Sequence, residues 1–253
     1  MGGNPRLSGH WPVMNYQTQF VKIKNLPPAD SFLSCSESAY LQTLRAEKRK
    51  GDWLGGRFAL KVLLARQSGL LPVCSLPTEG EENQKIEMSA AALAVLKQID
   101  IVKLPSGAPQ VFIGSVPDAR SVSISHSNGW AVAAVSAPQT MLGIDLEKIE
   151  KRSRVWAEEF FLDEEKGPAT DEHLTKVWTQ KEAVVKLLGR GLSLNTREII
   201  LVDNEVRLTG RALEVWQSLQ SPHIVLNSNR FDNDFIFTTA FAVAPTAVKF
   251  AKI

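Results

Sequence analysis

In the stretch "LGIDLE", Leu142, Ile144 and Leu146 alternate with Gly143, Asp145 and Glu147. That period of two predicts a strand with one apolar and one acidic face. A solvated acidic face accounts for the pattern, and so do two carboxylates converging on a hard cation. The same alternation predicts strands elsewhere. "IDIVKLPSGAPQVFIG" has two extended runs around "PSGAP", and "SVSISHSNGWAVAAVS" has two around Asn128-Gly129, the strongest short hairpin signal available. "REIILVDNEVRL" (197–208) predicts a third hairpin with Asp203-Asn204 at its turn, and "FDNDFIFTTAFAVA" closes the chain with strand pattern.

Helical periodicity lies between these runs. Residues 45–69 carry Leu54, Phe58, Val62 and Ala65 on one face and stop near Gly69 and Pro72. Arg49, Trp53, Arg57 and Lys61 recur at every fourth position, forming a second, cationic stripe without an acid. Helices are also predicted around 89–98 and over 153–166 and 172–189, while "VCSLPTEGEENQK" (73–85) predicts an exposed loop. Helices and strands are mixed, with at least three hairpins. That order predicts an α+β fold rather than a doubly wound parallel sheet. "SAPQTM" (136–141) is the expected joint, dividing the chain into an N-terminal lobe over 1–136 and a C-terminal lobe over 137–253.

Composition changes this picture little. The 253 residues suffice for one large domain or two small ones. The two cysteines, Cys35 and Cys74, make no disulfide framework, and four histidines beside them make no zinc cluster. The opening residues lack a cationic stretch followed by an apolar one, and no run approaches the length of a membrane span, so a cytoplasmic protein is expected. The net charge of +2 does not by itself suggest a nucleic-acid binder, but its distribution is uneven. Residues 45–66 hold seven Lys or Arg against two acids; residues 145–172 hold ten acids against five bases. One region suits anions and the other suits cations.

The candidate chemistry sits on "VWTQKEAVVKLLGRGL" (177–192). On a helical wheel Val177, Val184, Val185 and Leu188 gather on one side. Glu182 and Lys186 stand one turn apart on a single face with Trp178. A surface Glu-to-Lys pair explains that spacing equally well. Lys181 falls inside the apolar arc, where an ammonium needs a partner or a route to water. If Asp145, Glu147 and Glu182 meet, they form an oxygen-only site of few protein ligands, which suits Mg²⁺ shared with substrate phosphates. The basic helix would then clamp those phosphates.

Together, "GIDLE", "WTQKEAVVK" and "GRGL", preceded by "KRKGDWLGGRFALK", "LPSGAP" and "SISHSNGWAVAAVS", resemble the 4′-phosphopantetheinyl transferases. The resemblance is to the larger, monomeric, two-lobed class that activates surfactin synthetase, and its blocks run in family order over about residues 45–192. It implies two similar lobes related by a pseudo-twofold, with the active site at their interface. The implied reaction is transfer of phosphopantetheine from coenzyme A to a serine of an apo acyl or peptidyl carrier protein, leaving adenosine 3′,5′-bisphosphate. By resemblance, Asp145, Glu147 and Glu182 are the Mg²⁺ ligands and Glu182 relays the serine proton. Lys186 meets the bridging or α-phosphate. Ser125 and His126 contact the coenzyme's phosphates, with Arg49, Arg57 and Lys61 around the 3′-phosphate and diphosphate.

Two departures stand out. Ala108 occupies a position of the Gly-x-Pro turn where many members carry Lys or Arg. The 36 residues between Asp145 and Glu182 are fewer than the family usually places there. Two other classes remain open: a Mg²⁺-dependent phosphotransferase or phosphodiesterase acting on a nucleotide, and a non-catalytic module that docks carrier proteins. A serine hydrolase is set aside because no Gly-x-Ser-x-Gly elbow surrounds Ser125. The basic helix carries one aromatic, Trp53, on its cationic stripe and a large apolar face, which fits a packed helix better than a nucleic-acid surface.

Overall fold

A computed structural model describes residues 15–71, 85–190, 194–202 and 205–243. The expected turn at Asp203-Asn204, most of the loop over 73–85, and Gly191 and Leu192 of "GRGL" lie outside the described residues. Strand β1 (Tyr16–Lys22) is followed by helices α1 (Ala29–Phe32), α2 (Cys35–Thr43), α3 (Glu47–Gln67) and α4 (Ala90–Leu96). Strands β2 (Ile99–Lys103), β3 (Pro109–Ile113), β4 (Val116–Pro117), β5 (Ser121–Ser127) and β6 (Trp130–Ser136) complete this half. The second half runs β7 (Thr140–Lys148), α5 (Arg154–Phe160), α6 (Asp163–Lys166), α7 (Asp171–Leu187), β8 (Ile199–Val202), β9 (Glu205–Leu208), α8 (Gly210–Ser218), β10 (Val225–Phe231) and β11 (Phe235–Val243). The architecture is mixed α+β, with several small antiparallel sheets.

Local chemistry sets several boundaries. Asn128 and Gly129 both take positive φ, 44° and 87°, which closes the two-residue β5–β6 hairpin with the twist its strands need. Thr170 caps α7 by accepting a hydrogen bond from His173 N, and Ser34 and Glu37 form a reciprocal capping box at α2. The single helix expected over 153–166 is two short ones. Phe161 is extended and buried, and Glu165 reaches back to accept from Leu162 N at 2.8 Å.

Two of the sheets share one strand-order pattern. One sheet has the order β1-β6-β5 and another β10-β11-β7, so in each half the first strand pairs with the last. Tyr16 lies opposite Ser136, and Lys148 opposite Phe235. Strand alternation divides the core into layers. On β6, Ala131, Ala133 and Val135 join the cluster around α3, with Phe58, Leu60 and Leu64. Val132 and Ala134, one position along, join Leu142, Ile144 and Leu146 of β7 and Phe231, Phe235 and Phe241 between the two sheets. A third cluster holds α7 against β11 through Val177, Val184 and Ala240. The apolar face predicted for "LGIDLE" is therefore the face between the sheets. Among the described residues no helix is long and apolar enough to cross a membrane.

Lys61 departs from expectation. Its side chain is fully buried, and Nζ donates to the carbonyls of Phe32 and Leu96, at 3.0 and 3.1 Å, and pairs with the buried Glu37. An ammonium with its protons so committed is not available to a coenzyme phosphate. Removing one partner of a buried pair strands the other. Lys61→Met is therefore expected to cost about 3–5 kcal/mol in unfolding free energy measured by denaturant titration. Unaltered stability with weakened coenzyme A binding would return Lys61 to the phosphate clamp.

Candidate active site

Gly143 determines how the acidic face of β7 meets its helix. A Cβ on Gly143 would lie 1.9 Å from the Ala183 carbonyl oxygen and 2.4 Å from Leu187 N, so only glycine lets α7 lie this close. Ala183 and Leu187 immediately follow Glu182 and Lys186 in sequence, so this contact brings the Glu182–Lys186 face to Asp145. Lys186 Nζ donates to Asp145 Oδ1 at 2.8 Å and to Ser125 Oγ at 3.0 Å. The surface-pair explanation of Glu182 and Lys186 fails, since Lys186 bonds to a strand carboxylate and to a serine from the other half of the chain.

Asp145 is buried. Its Oδ1 accepts from both Ser125 and Lys186, whereas Oδ2 is buried without a hydrogen-bond partner. Burial raises the Glu147 carboxyl to about 7, assisted by the Asp145 charge and opposed by Ser127, Arg152 and Lys186. Burial likewise raises Glu182, again with Asp145 adding and Lys186 opposing. Asp145 thus acts electrostatically on both other acids. Among the described residues no three His, Cys, Asp or Glu side chains are already drawn into a metal-holding group. A hard divalent cation nevertheless fits this donor set: oxygen-only, under-compensated in charge, with one buried carboxylate oxygen unsatisfied.

Strand alternation separates Ser125 from His126. Ser125 faces β7, is buried, and accepts from Leu146 N at 3.2 Å while donating to Asp145. This hydroxyl, expected on the coenzyme's phosphates, is instead committed inside the protein. His126 faces the other way and is half exposed, with Nδ1 3.7 Å from Asp52 Oδ2. Burial lowers its pKa, and Lys186 and Lys48 push in the same direction against Asp52 and Asp145.

The stripe on α3 divides too. Arg49 is exposed near the start of the helix. Arg57 stacks over Trp53 at 4.7 Å and donates to the Ile101 carbonyl, with Glu37 and Asp100 as its acidic neighbours. Arg57 and Lys61 therefore face α2 and β2. It is Lys48 and Asp52, one position back on the wheel, that stand beside His126.

Three further residues, outside the expected set, support the site and its helix. Ser127 donates to Glu147 Oε2 at 3.1 Å, and its position in the alternating serines of "SVSISHS" was the available signal. Arg152 lies 3.8 Å from Glu147 Oε2 and stacks over Trp156, without a sequence signal we can name. Glu165 is the partner that Lys181 required: the two side chains are fully buried and 2.7 Å apart, and Lys181 also donates to the Phe160 and Thr196 carbonyls.

Comparison with known proteins adds independent findings. The 4′-phosphopantetheinyl transferase superfamily matches residues 141–240, which include β7, α7 and β11 up to Ala240. The chain is 36% identical over 90 residues to the 4′-phosphopantetheinyl transferase Sfp of Bacillus subtilis, covering 32% of this chain and 38% of that protein. It is 23% identical over 188 residues to slr0495 of Synechocystis sp., covering 71% of this chain and 66% of that one. Among solved structures, holo-[acyl-carrier-protein] synthase from Neisseria meningitidis aligns with a TM-score of 0.34 and 21% identity, over 40% of this chain and 95% of that one.

Proposed function

We propose, from the match of residues 141–240 to the 4′-phosphopantetheinyl transferase superfamily, that this chain is a member and that it transfers 4′-phosphopantetheine from coenzyme A to a serine of an apo carrier protein. The observation that carries this reading is the junction of Lys186, Asp145 and Ser125, three groups from both halves of the chain, beside two acids raised by burial. The two halves, 1–136 and 137–253, are taken as lobes related by a pseudo-twofold, with the active site between them. The shared strand order supports this division.

In the proposed site Asp145, Glu147 and Glu182 would hold Mg²⁺, which would supply charge neutralisation at the coenzyme's diphosphate. Glu182 accepts the proton of the carrier serine, directly or through water. The serine oxygen forms a bond to the phosphorus bearing pantetheine as that phosphorus parts from the bridging oxygen, whose electrons leave with adenosine 3′,5′-bisphosphate. Lys186 neutralises the α-phosphate of that leaving group. His126 and the exposed Arg49 reach the coenzyme's other phosphate oxygens, joined by Lys48. Ser125 holds Asp145 and Lys186 in place rather than touching the coenzyme. The protein is taken to act as a monomer in the cytoplasm.

The test is to mix the protein with coenzyme A, Mg²⁺ and an apo acyl or peptidyl carrier protein and record the carrier's intact mass. One added phosphopantetheine at serine, lost on chelation, is expected. Unchanged mass across several carriers, with coenzyme A shown to bind, would reject the reading. Cleavage of coenzyme A without any acceptor would point to a nucleotide phosphodiesterase.

A further inference from the structure

Strand β7 lies at the edge of its sheet, and an edge strand presents a row of unpaired N–H groups. Here those groups are met by side chains. Ile144 N donates to Ser123 Oγ at 3.0 Å, Leu146 N to Ser125 Oγ at 3.2 Å, and Lys148 N to Ser127 Oγ at 3.2 Å. Ser123, Ser125 and Ser127, alternate residues of β5, thus accept from the alternate amides of Ile144, Leu146 and Lys148 on β7. The seam between the halves is a ladder of side-chain hydroxyls, not of paired backbones.

The rungs are not equivalent. A hydroxyl that accepts from an amide keeps its own proton to donate. Ser125 gives that proton to Asp145 Oδ1, and Ser127 gives it to Glu147 Oε2 at 3.1 Å. The upper rung, Ser123, is shown with the Ile144 amide as its partner and with no carboxylate. Ser127 therefore fixes, through one oxygen, both the backbone carrying Glu147 and the carboxylate at its tip. The other group near that carboxylate oxygen is Arg152, at 3.8 Å, beyond hydrogen-bond length.

We propose that Ser127 is a positioning residue that aims Glu147 at the metal. The proposal rests on the reading of Asp145, Glu147 and Glu182 as the metal site. A glutamate side chain has three rotatable bonds, and a partly buried hydrogen bond from a neighbour selects one arrangement before the cation arrives. Partners of this kind orient metal ligands, and their loss commonly weakens metal binding about 10–100-fold.

Ser123→Ala and Ser127→Ala each remove one rung, but only the second releases a carboxylate. Mn²⁺ binding is measured by electron paramagnetic resonance on the full chain with coenzyme A present, alongside thermal unfolding and transfer at varied Mg²⁺. Both variants are expected to lose similar thermal stability. Ser127→Ala should weaken Mn²⁺ binding about tenfold, with transfer recovering at excess Mg²⁺. Ser123→Ala should bind Mn²⁺ as the wild type does, and Ser127→Thr, which restores the hydroxyl, should return to within about twofold of wild type. Should Ser127→Ala fail to fold, Ser127→Cys, a much weaker donor, makes the same comparison. Wild-type Mn²⁺ affinity in Ser127→Ala or Ser127→Cys overturns the proposal, and so does equal weakening in Ser123→Ala. Mn²⁺ binding that follows the expected pattern without any carrier transfer would leave the ladder standing and sink the transferase reading. A wild-type chain that binds no Mn²⁺ would overturn both.

Discussion

Gly143→Ala is expected to lower the unfolding temperature by on the order of 10 °C and to abolish transfer. The added methyl would stand 1.9 Å from the Ala183 carbonyl oxygen and 2.4 Å from Leu187 N, so it meets backbone on a packed helix and not a side chain that can rotate away. Overpacking of this kind costs about 1–3 kcal/mol, and more when the obstacle is rigid. For a chain of this size each kcal/mol is worth roughly 2–4 °C. The loss of function has a separate cause. Relief of the clash pushes α7 off β7 and carries Glu182 and Lys186 away from Asp145, to which Lys186 is joined by a 2.8 Å ion pair. Differential scanning calorimetry and the carrier-mass assay read the two effects independently. A variant that unfolds at the wild-type temperature with wild-type turnover would show that α7 is not held where we describe it.

Asp145→Asn is expected to reduce turnover by at least about 10²–10³-fold, the loss typical of removing one fixed electrostatic group from a transition state. The substitution preserves shape: the amide oxygen still accepts from Ser125, and the side chain stays buried between β7 and α7. It removes the charge that pairs with Lys186 and that adds to the effect of burial in raising Glu147 and Glu182. Glu147→Gln should be milder, and extra Mg²⁺ should partly restore it, because water completes a Mg²⁺ shell readily when one protein ligand is lost. Turnover against Mg²⁺ concentration separates the two variants, with circular dichroism confirming the fold. If Asp145→Asn keeps wild-type turnover, the metal is not held at Asp145. If Glu147→Gln is as inactive at every Mg²⁺ level, Glu147 is obligatory.

Much of this was legible where one signal dominated. Asn128-Gly129 fixed a hairpin because few residues tolerate two positive φ values in succession. Lys181 in an apolar arc announced a hidden partner, and Glu165 is that partner. The failures share a cause: periodicity tells which residues share a face, not which way the face turns. The Arg49–Lys61 stripe was a real repeat, but α3 is rotated so that Lys48 and Asp52 face His126 while Lys61 enters the core. Ser125 and His126 are adjacent on a strand, so they could not face one ligand from the same side. Strand β10 passed unnoticed because Asn227, Ser228 and Asn229 have little strand preference of their own; pairing with β11 holds them extended. Helix α8 went unmarked too, though Ala212 and Trp216 bury one of its faces.

The pairing of first strand with last in each half also sets an order of events during synthesis. Strand β1 waits for β6, its partner more than a hundred residues later, so the amino-terminal sheet closes only once Ser136 has left the ribosome. The face it then presents, with Phe20, Trp130, Val132 and Ala134, is one that β7, β10 and β11 are meant to cover. Those strands end at Val243, about a hundred residues further on. At roughly 5–20 residues per second, that apolar face stands open for roughly 5–20 s on each nascent chain, long enough for a chaperone to find it or for two neighbouring chains to find each other.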